Sequence, residues 1–525
     1  PHMQKARRAI LDLGGIEHVN SYTGIYLSFF GLYDRNLTPT VPPELILLPP
    51  GAYLNVYEMS CWSRAILAPL SILSAVKPLK PVPAGFSLAE LSAGNGRSQQ
   101  ASGWFGFFWR LDRWLKLWER SGLLLLRREA IRETEKWILE RLKDSDGLGA
   151  IYPSMLNTIL ALTELGYSPG DPVLRRAIEK FEELAIHEHG TLRMQPCFSP
   201  VWDTALAAFA LGMAGAGADA PLRLAADWLL AREVRRRGDW AVKNHRAGPG
   251  GWYFQFANEY YPDVDDTAQV LLALRHARAT RPEAQRAAEQ RAIDWILSMQ
   301  CKNGGWAAFD VDNDRAILTH VPFADHNAML DPACADITGR VLEALGPLAS
   351  GGGRPIEEAV RRAVAYLAQT QEPDGTWSGR WGVNYLYGTC FALRGLRAAG
   401  VDPREASILQ AAEWIRSVQN ADGGWGETCA SYDDPALKGS GPSTASQTAW
   451  ALMGLFASGD RSSGSVHRGV RYLLDTQNAA GGWDEPWFTG TGFPRVFYLK
   501  YHLYAQYFPL MALGEYAAWA ARTPA

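Results

Sequence analysis

Asp263-Val264-Asp265-Asp266, followed by Thr267-Ala268, places three carboxylates within four residues. Like charges this close raise the pKa of at least one member, which then stays protonated near neutrality. A neutral carboxylic acid in a dry pocket can protonate a very weak base. Just upstream lie Trp252-Tyr253-Phe254-Gln255-Phe256 and Tyr260-Tyr261-Pro262, and aromatic faces stabilise cations. An acid beside an aromatic wall points to carbocation chemistry begun by proton transfer to a carbon–carbon double bond. The plainer readings are a surface acidic turn or a divalent-cation loop. An EF-hand loop alternates oxygen ligands over about twelve residues and needs a central Gly. Here Thr267 leads straight into Ala268-Gln269-Val270-Leu271-Leu272, an apolar helix, so no metal is expected.

The acid has to be held by something, and the chain repeats itself. Gln300-Cys301-Lys302-Asn303-Gly304-Gly305-Trp306, Gln371 to Trp377, Gln419 to Trp425 and Gln477 to Trp483 share one pattern: Gln, a polar turn, Gly, any residue, Trp. Each follows a helical stretch such as Ala292 to Leu297 or Tyr472-Leu473-Leu474 and precedes another apolar helix. Repeats at such spacing imply stacked supersecondary units, and the Gly-rich turn is a helix stop. The Gln amide is expected to bond backbone at a neighbouring helix end while the Trp covers it. A degenerate copy is expected to end at Gly238-Asp239-Trp240.

With these residues the chain resembles the squalene–hopene cyclases, class II triterpene cyclases. The Asp-rich element and the Gln-to-Trp (QW) repeats are hallmarks of that family. Ser199 to Ala205, Gly379 to Thr389, Gly482 to Pro486 and Gly490 to Pro494 match it as well, and the resemblance runs from about Met3 to about Tyr516. It implies an all-α fold of two α/α-barrel (toroid) domains carrying QW repeats, residues 1–195 and 196–525, the second with the acid. Family members carry further helices ahead of the point matching Met3, so the first barrel is expected to be incomplete. The implied activity is an intramolecular cyclase reaction, the proton-initiated polycyclisation of squalene to hopene or hopanol, with no cofactor. The alternatives are a cyclase of another linear polyprenoid and a truncated, non-catalytic paralogue.

By the same resemblance Asp265 is the proton donor, with Asp263 and Asp266 fixing its geometry. Arg340 stands where many members place a His, keeping the cation while removing its titration; the plainer reading is a salt-bridged helix residue. Asp336 and Asp331 match carboxylates that hold this partner. Trp202, Phe254, Phe309, Phe323, Trp381, Tyr387, Phe493, Phe497, Tyr501, Tyr504 and Tyr26 match the substrate-binding walls. Phe309 stands where some members have Tyr, and Tyr26 where some have Trp. For any one of these aromatics, ordinary core packing is the competing explanation.

Composition narrows the class further. At 525 residues the chain exceeds one hydrophobic core, and a net charge of −3 argues against nucleic acid. Six cysteines without a Cys-x-x-Cys pair read as reduced thiols of a cytoplasmic protein. A prenyltransferase-like toroid would need a zinc set of Asp, Cys and His; none is well spaced, and His187-Glu188-His189 reads as a surface turn. Pro1-His2-Met3 reads as an expression remnant.

No run is apolar enough to span a bilayer, but residues 103–126 look built for lipid. Trp104, Phe108, Leu111, Leu115 and Trp118 keep helical spacing, Trp114 adds a further indole, and Arg110, Arg113, Lys116 and Arg120 interleave. A basic, aromatic helix suits an anionic membrane interface; the alternative is a core helix. Trp104, Phe108, Trp114 and Trp118 are the expected membrane contacts. The resemblance adds monotopic attachment to the cytoplasmic face of a bacterial inner membrane. The expected partners are squalene or a related polyprenoid and the membrane surface, with a homodimer left open.

Elsewhere, residues 82–102 read as a loop, and helices are expected at Ile131–Leu142 and Pro172–Glu188, with strands scarce.

Overall fold

The computed structural model describes residues 1–94, 103–122, 124–215 and 219–522; part of the loop expected at 82–102 lies outside them. Two compact units share the chain: Pro1–Lys143 with Gly147–Cys197 and Asp314–Leu330, and Asp144–Asp146 with Phe198–Asn313 and Asp331–Ala525. The main change of unit, at Cys197/Phe198, falls close to the expected boundary at 195/196; the two excursions cross it, and the second places Phe323 in the first unit.

In the first unit the helices are α1 (His2–Asp12), α2 (Ser21–Phe29), α3 (Cys61–Val76), α4 (Gly103–Ser121), α5 (Arg127–Leu142), α6 (Tyr152–Glu164) and α7 (Pro172–Glu182). The central α3 is apolar on nearly every side, as a buried helix must be, and it packs on α5 and α6. Ile66, Leu70 and Leu73 meet Ile138 and Ala161 there, and the excursion adds Leu318, Phe323 and Met329.

The helix expected over Pro172–Glu188 stops at Glu182. Ala185–Glu188 instead pairs antiparallel with Thr191–Met194 as strands β1 and β2. The cause is the turn His189-Gly190, both residues at positive φ, which matches the twist of a two-residue hairpin.

In α4 the apolar stripe is rotated from the one read in sequence. Trp104 (55% exposed), Phe107, Leu111, Trp114 (59%) and Leu117 face outward, whereas Phe108 is buried at 6% and Trp118 is half-buried beneath the Arg127 guanidinium. Spacings of three and four residues put 104, 107, 111 and 114 on one face. Phe108 falls about 100° beyond residue 107, on the side anchored to the unit by Asp112, which accepts from Thr40 N at 2.7 Å. No described helix is long and apolar enough to cross a membrane.

The second unit contains α8 (Pro200–Met213), α9 (Asp219–Leu230), a single turn α10 (Trp240–Lys243), α11 (Val264–Leu274), α12 (Pro282–Ser298), α13 (Ala335–Leu345), α14 (Arg354–Thr370), α15 (Tyr385–Ala398), α16 (Ala406–Ser417), α17 (Ala445–Ala457), α18 (Gly464–Thr476) and α19 (Tyr504–Ala520). A hairpin of β3 (Gly490–Phe493) and β4 (Phe497–Leu499) precedes α19. Helices α8, α11, α13, α15, α17 and α19 each pack on the next, and α19 returns to α8. This closed inner ring is buried almost throughout, while α9, α12, α14, α16 and α18 lie outside it with one apolar face each. The architecture is an α/α-barrel.

The repeats brace its outer layer. Gln300 Nε2 donates to Gly304 O in its own turn (2.8 Å) and to Ala359 O in α14 (2.9 Å); Gln371 reaches Ser407 O in α16, and Gln419 reaches Ser465 O in α18 (both 2.9 Å). The Trp indole turns back on its own outer helix: Trp306, Trp377, Trp425 and Trp483 donate to Ile296, Leu367, Ile415 and Leu473 O at 2.7–2.8 Å. It thereby adds an acceptor bond in the last turn of that helix, where carbonyls run short of intrahelical donors.

The degenerate copy is Gly250-Gly251-Trp252, not Trp240. Trp252 Nε1 donates to Leu229 O at 2.7 Å, as its counterparts do, while the Trp240 indole finds no partner among the described residues. The positive φ of Gly251 matches that of Gly304, Gly375, Gly423 and Gly481.

Candidate active site

Each repeat turn delivers its Trp to the start of an inner helix. The backbone N–H groups of Trp252, Trp306, Trp377 and Trp425 donate to the hydroxyls of Thr267, Thr338, Thr389 and Thr448 at 2.9–3.1 Å. These threonines set a common register. Two residues before them stand Asp265, Asp336, Tyr387 and Ser446; two residues after stand Gln269, Arg340, Phe391 and Trp450. The site is built from these two tiers, with Trp202 on α8 and Tyr504 and Phe508 on α19.

Asp263 is the N-cap of α11, its Oδ1 accepting from Asp265 N (2.6 Å) and Asp266 N (3.3 Å), the usual work of a capping carboxylate. Asp265 is the member of the run that meets the Arg340 cation. Its Oδ1 accepts from Arg340 Nε at 2.6 Å, its Oδ2 has no partner among the described residues, and its side chain is 11% exposed. Asp266 is almost completely buried, with Oδ1 unpartnered.

Burial raises the pKa of all three carboxyls. For Asp263 and Asp266 the neighbouring carboxylates add to it; for Asp265 the Arg340 charge pulls the other way without cancelling it. Asp263 and Asp266 are therefore pushed well above the ordinary carboxylate range and Asp265 above it, and the cation beside Asp265 favours its conjugate base.

Arg340 spends each nitrogen on a different partner: Nε on Asp265, Nη1 on Gln269 Oε1 (2.9 Å), Nη2 on Tyr387 OH (2.8 Å). Its guanidinium lies over the Phe391 ring (4.0 Å to the centroid) and near the Trp202 ring (4.9 Å). It does not fork onto Asp265. Two glycines bring its helix close to α15. A Cβ on Gly339 would lie 2.2 Å from Phe391 O, and one on Gly395 would lie 2.4 Å from Gly339 O.

Asp336 and Asp331 do not hold Arg340. Asp336 Oδ2 accepts from Arg380 N and Trp381 N, both 2.8 Å, and Asp331 accepts from the N–H groups of Ala308, Phe309 and Asp310 at 2.7–3.3 Å. A carboxylate in the first turn of a helix, as Asp336 is, meets loop amides more readily than a side chain one turn deeper. Both residues fix the loops that carry Phe309 and Trp381. Burial lifts Asp331 to about 7.

In the second unit the rings from Trp202 and Phe254 through Tyr501, Tyr504 and Trp450 to Tyr387 and Phe391 are in continuous contact. Tyr501 stacks on Tyr504 (4.5 Å, 13° between planes), Phe254 meets Tyr501 edge-on at 6.3 Å, and Trp202 donates to Tyr504 OH at 3.1 Å. Tyr387 is packed between Phe391 (4.6 Å) and Trp450 (4.8 Å), so its hydroxyl serves Arg340 rather than standing as an open face. Phe493 and Phe497 pair across the β3–β4 turn at 6.1 Å. Tyr26 and Phe323 are in the first unit, gathered around Tyr22 at 4.9 and 6.2 Å. Sequence reasoning missed Gln269, Phe391, Trp450 and Phe508; counting from the repeated Thr would have found the first three. Among the described residues no group of side chains could hold a metal ion.

An α/α-barrel that sets a buried carboxyl of raised pKa against a buried cation, among aromatic rings, is the arrangement of a class II terpene cyclase. The squalene-hopene cyclase N-terminal domain family matches residues 1–190 and the C-terminal domain family residues 198–518. A squalene–hopene cyclase of Alicyclobacillus acidocaldarius is 44% identical over 98% of this chain and 82% of its own length. A probable squalene–hopene cyclase of Sinorhizobium fredii is 43% identical over 98% and 81%, and a dammaradiene synthase of Dryopteris crassirhizoma 42% over 98% and 79%. The chain belongs to the squalene–hopene cyclase family.

Proposed function

We propose that Asp265 protonates a terminal double bond of squalene and that the resulting cation closes through successive double bonds to hopene or hopanol. The proton leaves Oδ2, the alkene π pair forms the new C–H bond, and the carboxylate left behind is stabilised by Arg340. Each ring closure consumes one π bond and moves the positive charge to the next carbon. Loss of a proton ends the sequence as an alkene; capture of water, then loss of a proton, ends it as an alcohol. Aromatic faces along the path offer up to about 2 kcal/mol each to a desolvated cation and exclude premature water.

The observation that carries this reading is the one-sided grip on Asp265: one oxygen bonded to Arg340, the other without a partner among the described residues, in a cluster whose carboxyl pKa values burial raises. Incubation with squalene and product analysis by gas chromatography–mass spectrometry tests it. Asp265→Asn keeps the shape and removes the acidic proton, so cyclisation should vanish while the melting curve persists; turnover at the parent rate would refute the assignment. The dammaradiene synthase relative favours a second outcome, the same acid with a different final ring pattern, and the product spectrum decides between them.

Attachment to one leaflet through α4 accompanies this reading. Its outward face of Trp104, Phe107, Leu111 and Trp114 beside interleaved cations has the amphipathic character of an interfacial helix, and a substrate insoluble in water is met in the bilayer.

A further inference from the structure

We propose that Gln269 is a positioning residue that confines Arg340 to a single-oxygen contact with Asp265 and thereby sets the strength of the acid. The inference rests on Asp265 being the proton donor.

A guanidinium left to itself prefers to meet a carboxylate through two parallel N–H···O bonds. That geometry would engage both oxygens of Asp265, stabilise the carboxylate and leave no oxygen to carry a proton. Here both forked edges are engaged: Nη2, common to the Nε/Nη2 and Nη1/Nη2 edges, by Tyr387, and Nη1, the far end of the second edge, by Gln269. Phe391 and Trp202 crowd the group at 4.0 and 4.9 Å, and the freedom that would bring its other edge to Asp265 is rotation within its own plane. The Gln269 contact blocks that rotation.

A second observation marks Gln269 as more than filler. It is buried, yet its Nε2 finds no partner among the described residues. A buried orphan donor costs stability, and an apolar side chain of like size would avoid it. What the amide supplies is the acceptor toward Arg340. Its position, one helical turn beyond Asp265, places acid and acceptor on the same face of α11.

The ionisable groups around Asp265 come from several elements: Asp263 and Asp266 on its own helix, Arg340 and Asp336 on α13, Tyr387 on α15, Tyr504 on α19, and Asp203 on α8, whose charge reaches Asp266. The test therefore changes Gln269 in two opposite senses. Gln269→Leu removes the acceptor and frees the fork, so Asp265 becomes easier to ionise. The acid must be protonated to work, so the descending limb of the pH–rate profile moves to lower pH, by about one unit, roughly a tenfold loss of rate on that limb, with KM unchanged. Gln269→Glu keeps the shape but offers Arg340 a competing carboxylate, so the limb moves to higher pH. Opposite shifts support the proposal; no shift, or two in one direction, overturns it, since a purely structural role would lower the plateau and leave the limb in place. If the parent chain does not cyclise squalene, the function reading fails on its own. The protonated-carboxyl infrared band, taken as the parent-minus-Asp265→Asn difference and titrated in each Gln269 variant, then gives the same two opposite outcomes without turnover.

Discussion

Gln269 and Arg340 hold the same place in consecutive repeats, two residues beyond the register threonine, and are bonded to each other at 2.9 Å. Asp265 and Asp336 are equivalent in the same way, yet one bonds Arg340 and the other anchors loop amides. A single repeated address, occupied by different side chains around the ring, generates both the chemistry and the scaffold that holds it.

Arg340→Leu removes the only cation bonded to Asp265 among the described residues. Burial then acts unopposed, the acid weakens, and kcat should fall by about 10²–10³-fold, the range for losing one preorganised electrostatic contact. Arg340→Lys retains charge but cannot serve three acceptors at once, so it should be intermediate. In the parent, turnover is present at low pH and lost as pH rises through the raised pKa of Asp265, with no separate limb from titration of the partner. Steady-state rates across pH check all three points; an unaltered rate in the Leu variant would remove Arg340 from the mechanism.

Asp263 has a job that an amide can partly do. Asp263→Asn retains an oxygen to accept from the N–H groups of Asp265 and Asp266, whereas Asp263→Ala loses it. The Ala variant should lose about 0.5–2 kcal/mol of stability and, because the first turn of α11 loosens, more activity than Asn. Calorimetry and turnover measured on both variants separate cap from charge; equal behaviour would show that the cap is irrelevant.

Asp266 makes stability depend on pH in a direction opposite to that of a salt-bridged acid. Its pKa is raised in the folded protein, chiefly by burial and then by Asp263 and Asp265. Such a group binds its proton more tightly folded than unfolded. Its stabilising contribution is full below the unfolded value of about 3.9 and is lost as pH rises through the folded one. Asp266→Asn should therefore melt with the parent at acid pH and above it at alkaline pH. A variant less stable than the parent at alkaline pH would contradict the cost assigned to this carboxyl.

The rotated face of α4 gives a sharp contrast. Changing Trp104, Phe107, Leu111 and Trp114 to Ser should release the protein from vesicles containing anionic phospholipid. Phe108→Ser should lower the melting temperature and leave sedimentation with vesicles intact. Added salt should weaken binding only in part, because apolar burial is not screened. Continued sedimentation of the fourfold variant would remove α4 as the membrane contact.

Much of this was legible because repeats leave a period in the sequence. The Gln and Trp of each turn, the helical alternation and the Asp-rich run are local patterns, and each had a mechanism attached. What was not legible depended on rotation and partnering. Phe108 and Phe107 differ by one position, and it is the docking of α4, through Asp112 on Thr40 and Lys116 on Asn36 and Thr38, that goes with burial of Phe108. Asp336 shares the type and register of a catalytic residue, and only the loop at Arg380 and Trp381 shows what it binds. The β1–β2 hairpin was hidden because Leu184-Ala185-Ile186 continues a helical pattern until the left-handed turn at His189 overrides it.

Gly339 and Gly395 set the spacing of α13 and α15, and Tyr387 reaches Arg340 across that gap. Neither glycine has a side chain to offer a substrate, so neither would be sought as a determinant of reactivity. Yet a methyl group at either place would act as a wedge, parting the helices and slackening the hold on the guanidinium that faces the acid. Proton affinity at Asp265 is in this sense a dimension of the scaffold, adjustable from positions that no substrate atom meets.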